Sequence, residues 1–190
     1  VLHYLKETHH NLTQHIRKIS RIDQEKYVWM DRFTIRNLEL FYTPNDQAKT
    51  LIDVLDFTIS AMGSRMMKRW LALPLKEKTQ IEKRTEVVQY LLNNPDFISV
   101  LEENIKQIGD LERLISKVST TRVSPRECNQ LKQALNAIEP IKEACKKTNI
   151  SQIKIISEQL NPCKNIADKI ENTITENPPA LVNKGNVIKE

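Results

Sequence analysis

The chain has 190 residues, room for one sizeable core at the usual ~100–200 residues per domain. Apolar types make up 39% and aromatics 5%, with three glycines against eight prolines, a balance that suits helices and leaves little of the turn chemistry that sheets require. The net charge is +5, and residues 61–84 alone hold seven Lys or Arg against two Glu, so this one stretch equals the whole excess; such a local field favours an acidic partner such as nucleic acid or is simply solvated.

Leu2, Leu5, Leu12 and Ile16 predict a helical segment through about Ser20. The apolar run Tyr27-Val28-Trp29-Met30 is rich in β-branched and aromatic types and reads as one short strand. Asp31 then caps a short helix through Leu40, and "TPNDQAKT" (43–50) is a loop. Thr50 with Asp53 forms a capping box for a helix from Leu51 to Asp56. Ser60 caps the next helix, which Pro74 ends by biasing Leu73 away from helical geometry. In it Met62, Met66 and Trp70 follow i, i+4, i+8 and predict one packed apolar face, while Gly63 suits a close backbone approach.

Thr79 with Glu82 signals another helix start, and Asp96 opens a stripe of Phe97, Leu101, Ile105, Ile108 and Ile115 that predicts a single rod reaching Ser119. Ser124, Pro125 and Glu127 form a second capping box; the helix runs through Leu131, Leu135 and Ile138 until Pro140 kinks or restarts it. A helix from Ser151 to about Leu160 follows, then one opened by Asn161-Pro162 with the stripe Cys163, Ile166, Ile170 and Ile174, closed by Pro178-Pro179. Narrow stripes on polar rods must pack lengthwise on one another, so the expectation is an elongated all-α domain without internal repeat.

Chemistry is scarce. Gly63, Gly109 and Gly185 stand alone, so neither a GxxxxGK[ST] loop nor a GxGxxG is present to cradle a phosphate. His3, His9, His10 and His15 crowd the start without HExxH or another ligand spacing, and Cys128, Cys145 and Cys163 form no CxxC, which suits neither a zinc site nor a disulfide framework but suits a reducing cytosol. Asp110, Glu112 and Arg113 read as an intrahelical ion pair or a polar anchor between helices rather than a carboxylate pair for catalysis. No stretch approaches the ~18 apolar residues of a membrane span, and "VLHYLKETHH" lacks a signal-peptide apolar region, so a soluble cytoplasmic setting without membrane contact is expected. Starting at Val1 and stopping at "GNVIKE", the sequence reads as a piece of something longer.

Five strings occur together and in order: "DRFTIRNLELF" (31–41), "TLIDVLDFTISAMGSRMMKRWLALPL" (50–75), "IGDLERL" (108–114), "TRVSPRE" (121–127) and "ENPPALVNKGNVIKE" (176–190). Together they resemble the core region of the MutS family of DNA mismatch repair proteins over almost the whole chain. The matching positions are Asn37, Leu38, Glu39, Leu55, Asp56, Thr58, Met62, Gly63, Arg65, Trp70, Pro74, Leu75, Asp110, Leu111, Glu112 and Arg113. Ser60 stands where Thr is common, and Cys128 where Leu is common. The resemblance implies a core and lever domain, with 1–42 as its N-terminal segment and 43–190 as helical core and lever, ending near the insertion of a clamp domain. It implies no catalytic, metal or cofactor site in these residues; ATP and magnesium would belong to the parent protein, a DNA-dependent ATPase. Implied partners of the parent are duplex DNA with mispairs, a second MutS subunit and a MutL-type protein. Arg65, Lys68 and Arg69 are expected to contact DNA weakly or to meet neighbouring domains and helices. Two other readings stay open: an autonomous basic DNA-binding module, and the core of a homologue that works in recombination.

Overall fold

A computed structural model describes residues 2–8, 22, 24–45, 47–179 and 185–189. Its helices are α1 (Leu2–Glu7), α2 (Arg32–Asn37), α3 (Leu51–Leu55), α4 (Ala61–Ala72), α5 (Lys78–Asn93), α6 (Pro95–Ile108), α7 (Leu111–Ser119), α8 (Pro125–Lys146), α9 (Ser151–Gln159) and α10 (Lys164–Thr173). The described residues contain no β-sheet, so the expected all-α class holds. The run Tyr27–Met30 is not a strand: only Tyr27 pairs, in a single antiparallel bridge to Leu75, supported by Val28 N–H donating to the Pro74 carbonyl at 2.8 Å. Leu12 and Ile16, with the rest of the expected first helix beyond Thr8, lie outside the described residues.

Helix α8 is the hub. Its buried face, Ala134, Leu135, Ala137, Ile138, Ile141 and Cys145, touches α6, α7, α9 and α10. Leu135 and Ile138 join Ala167 of α10 in one cluster, against which Ile108, Leu111 and Leu160 pack. Ile141 and Cys145 join Ile153 of α9 in a second, covered by Val87 and Tyr90 of α5 and by Phe97, Leu101 and Ile105 of α6. Tyr90 and Phe97 meet edge to face at 5.5 Å across the α5–α6 corner, where the Asn94 amide donates to the Tyr90 carbonyl at 2.7 Å.

Two helix boundaries differ from expectation, the first because periodicity does not register a break which keeps the stripe aligned. The rod expected from Asp96 to Ser119 is divided at Gly109, which takes φ +63° and ψ −142°, a conformation open to glycine. Asp110 then caps α7, its carboxylate accepting from Arg113 N–H at 3.2 Å. Both halves nevertheless run antiparallel along α8: Phe97 and Leu101 lie at the Ile141–Cys145 cluster, Ile108 and Leu111 at the Leu135–Ile138 cluster, and Lys117 pairs with Glu127 near the start of α8. In the opposite sense, Pro140 neither ends nor restarts α8, which continues to Lys146. Proline removes one intrahelical bond, that to the Asn136 carbonyl. Asn136 and Pro140 are both exposed, so water can take that carbonyl while the buried face stays packed on either side.

Other starts shift by a turn or less. Helix α5 begins at Lys78 behind Glu77, whose carboxylate accepts from Thr79 Oγ1, so Thr79 is not the cap. Helix α6 begins at Pro95, with Asp96 inside its first turn. Helix α10 stops at Thr173, and Ile174 instead forms an antiparallel bridge to Ile188.

Candidate functional site

The stretch 50–75 folds into a dense set of local hydrogen bonds before it touches anything distant. Thr50 and Asp53 close the reciprocal box at the start of α3, Thr50 N–H donating to Asp53 Oδ2 at 3.0 Å. Asp56, just past α3, accepts from Thr58 N–H at 3.1 Å and from the hydroxyls of Thr58 and Ser64 at 2.5 Å each. These donors, Ser64 foremost, with the Lys68 charge nearby, hold the Asp56 carboxyl below its ordinary range. Ser60 caps α4 by accepting from Gly63 N–H at 3.0 Å. A Cβ on Gly63 would lie 3.1 Å from Ser60 Oγ and 3.2 Å from Thr58 Cβ, so the close approach that favours glycine here is made by the turn 58–60 itself.

From this braced first turn, α4 projects Arg65 towards the break between α6 and α7. The guanidinium takes Asp110 in fork geometry, Nη2 to Oδ1 at 2.7 Å and Nη1 to Oδ2 at 3.1 Å, and gives Nε to Glu112 Oε2 at 2.8 Å. A planar fork serving two carboxylates is a contact lysine cannot reproduce. Hydrogen bonding to Arg65 comes first among the causes that lower the Asp110 carboxyl, followed among the lowering causes by the Arg113 N–H; the pair in turn raises the Arg65 guanidinium. Asp110 therefore does three things at once: it follows the glycine, caps α7 and receives Arg65. Of the two readings of this cluster, the intrahelical Asp110–Arg113 side-chain pair gives way to a backbone cap, and the polar anchor between helices is the one that forms, with a partner 45 positions earlier.

The methionine–tryptophan stripe behaves differently from expectation. No residue of α4 is buried; Met66 is 56% and Trp70 44% exposed, while Met62 is half-buried. Trp70 is instead covered on one face by the Arg84 guanidinium of α5, 3.7 Å from its ring centroid, a cation–π contact that nothing local in the sequence announced. Of the remaining signature positions, Asn37 ends α2 and is exposed, Glu39 takes φ +48° and offers its carbonyl to Leu51 N–H, and Pro74 offers its carbonyl to Val28. Arg113 and Arg69 are exposed, as is Lys68, whose charge also helps lower Asp53. Among the described residues no group of histidine, cysteine and carboxylate side chains could hold a metal, and no helix is long and apolar enough to cross a membrane. His9, His10 and His15 lie outside those residues.

The two strings that meet at Arg65 are thus a polar anchor between α4 and the α6–α7 junction. A family model described as MutS domain III matches residues 33–190. The chain belongs to the MutS domain III family. It is 54% identical over 99% of its length to the DNA mismatch repair protein MutS of Christiangramia forsetii, and 52% identical over 99% to that of Parabacteroides distasonis. The Bacteroides fragilis protein of the same name is 50% identical over 100% of the chain. In each case the chain spans 22% of the relative's length. As a MutS domain III, it carries a helical anchor joined by charged groups.

Proposed function

We propose that the chain is the core and lever module of a DNA mismatch repair protein, linking mispaired-DNA engagement and clamp movement to the ATPase of the parent protein. The observation that carries this reading is the Arg65 fork on Asp110 and Glu112. It fastens α4 to the junction of two helices laid along α8, so that displacement of one is passed to the other. Rigid helices with a hub and a polar latch suit transmission rather than bond chemistry. ATP, magnesium, a second subunit, a MutL-type partner and the mispaired duplex belong in this reading to the parent.

The rival reading, an autonomous basic DNA-binding module, draws on the charge excess of 61–84. Its support is weakened by what those cations face: Arg65 meets two carboxylates, Lys68 lies in the field of Asp53 and Asp56, Lys78 is 3.5 Å from Glu82, and Arg84 covers Trp70. A module of that kind would bind duplex with a steep salt slope, one increment per phosphate neutralised.

The test is Asp110→Asn with Glu112→Gln in the full-length parent. Asparagine keeps the α7 cap while the fork loses its anionic partners. Affinity for a mispaired duplex is expected to hold while ATP-linked release slows several-fold. If release is unaltered, the coupling role is abandoned.

A further inference from the structure

Residues 174–179 and 185–189 lie against α10 and α8, where a buried Pro178 and half-buried Ile174 and Val187 are joined by polar bonds. Ile188 is 68% exposed, and the segment's own pairing is small: the Ile174–Ile188 bridge, Thr175 N–H to the Val187 carbonyl at 3.0 Å, and Lys189 N–H to the Thr173 carbonyl at 2.9 Å. The polar part of the attachment to the hub comes from one row on α8. Arg126, Asn129 and Lys132 follow i, i+3, i+6 and so share a face. Arg126 Nε donates to the Pro178 carbonyl at 2.9 Å, and Asn129 Nδ2 donates to the carbonyls of Thr175 at 2.8 Å and Glu176 at 3.0 Å. Lys132 pairs with Glu171, which also takes Lys189 Nζ at 3.0 Å.

Asn129 stands at the centre of this row and is 7% exposed. Its Oδ1 is buried and has no partner among the described residues, a cost no surface amide bears. Leucine would fill such a position without that cost, so the residue's distinctive contribution here is its two donated bonds. They fall on main-chain carbonyls, which fixes the path of the backbone whatever side chains it carries.

We propose that the Arg126–Asn129–Lys132 row is the joint that makes residues 174–179, with the 187–189 segment paired to them, and α8 move as one body, with Asn129 as its positioning residue. The proposal rests on the lever reading above for its purpose, because a lever transmits only if its last segment is fixed to its hub. Arg65 fastens α4 to the α6–α7 junction that lies along α8; this row fastens residues 175–178 to the same helix.

The experiment is hydrogen exchange of the full-length parent, read on peptides covering 171–189 and on peptides of the α8 core, paired with ATP-linked release from mispaired DNA. Asn129→Leu removes both donations. It is expected to speed exchange at 174–177 and 187–189 by tenfold or more, leave the amides of the Ile138–Cys145 stretch unchanged and slow release several-fold. Asn129→Gln, which retains a donor amide, should recover part of both. Should Asn129→Leu fail to fold, Arg126→Ala gives the same readout from the rim. Unchanged exchange at 174–177 and 187–189 overturns the joint. Loosened exchange with normal release also overturns it as a coupling element, and an Arg65→Ala control separates the cases: if that variant still slows release, the lever reading stands and only the joint has failed.

Discussion

Substituting Gly109 by alanine opposes two predictions of opposite sign. If α6 and α7 were one straight helix, as the apolar periodicity suggests, Gly109→Ala would stabilise the chain by up to about 1 kcal/mol, the usual preference of a helix interior. In the structure Gly109 takes φ +63° and ψ −142°, and an added Cβ would meet nothing within 4 Å. The cost is therefore all backbone, about 1–3 kcal/mol for a residue forced into sparsely populated space. Lost freedom of the unfolded chain returns about 0.4–1 kcal/mol. The middle of the two ranges gives a net destabilisation of about 1.3 kcal/mol, which lowers the melting temperature by about 3–5 °C for a domain of this size. Urea denaturation of wild type and variant measures it directly, with the slope checked for constancy. A midpoint that stays put or rises would refute the break and with it the placement of Asp110 as cap.

Core truncation should separate hub from stripe. Ile141→Ala at an 8%-exposed site in the second cluster is expected to cost about 2–4 kcal/mol, whereas Met66→Ala, at a residue 56% exposed, should cost under about 1 kcal/mol in urea melts of the same chain. Glu127 supplies a pH dependence. The Lys117 ammonium first, then the Ser124 N–H and hydroxyl, hold its carboxyl at about 2 against an ordinary 4.5. The folded value lies below the unfolded one, so its contribution is complete above pH 4.5 and disappears as pH falls towards 2. The difference in denaturation midpoint between wild type and Glu127→Gln should therefore shrink across that window, and a constant difference would contradict the pairing.

Much of the local chemistry was legible, though Thr79 and Asp96 each miss the true start by a residue or two. Both capping boxes, Thr50 with Asp53 and Ser124 with Glu127, form as their spacing dictates, because every atom involved lies within four residues. Features that depend on distant chain were not. Gly109 breaks the rod without disturbing its stripe, since Ile108 and Leu111 continue onto the same face of α8; a lone glycine cannot announce that from sequence. Pro140 does not restart the helix, because α8 is held by buried neighbours on both sides of an exposed proline. Trp70 was over-read as core, when its ring is covered by Arg84 from the following helix. A polar anchor at Asp110 and Glu112 and an inter-helix role for Arg65 were both among the expectations, but not that they are one contact: the residues are 45 and 47 positions apart, and each carboxylate had a plausible neighbour within its own helix. Resemblance located the strings, but only the fold brings them together.

The central claim, that Arg65 couples α4 to the rods along α8, is tested most directly by a graded series at that one position. Wild type, Arg65→Lys and Arg65→Ala in the full-length parent would be compared by stopped-flow release of mispaired duplex after ATP addition. A lysine can reach one carboxylate but not fork across both. The account predicts release rates falling in the order Arg, Lys, Ala, with mispair affinity before ATP unchanged. Equal release rates across the three, in protein that binds DNA normally, would contradict it.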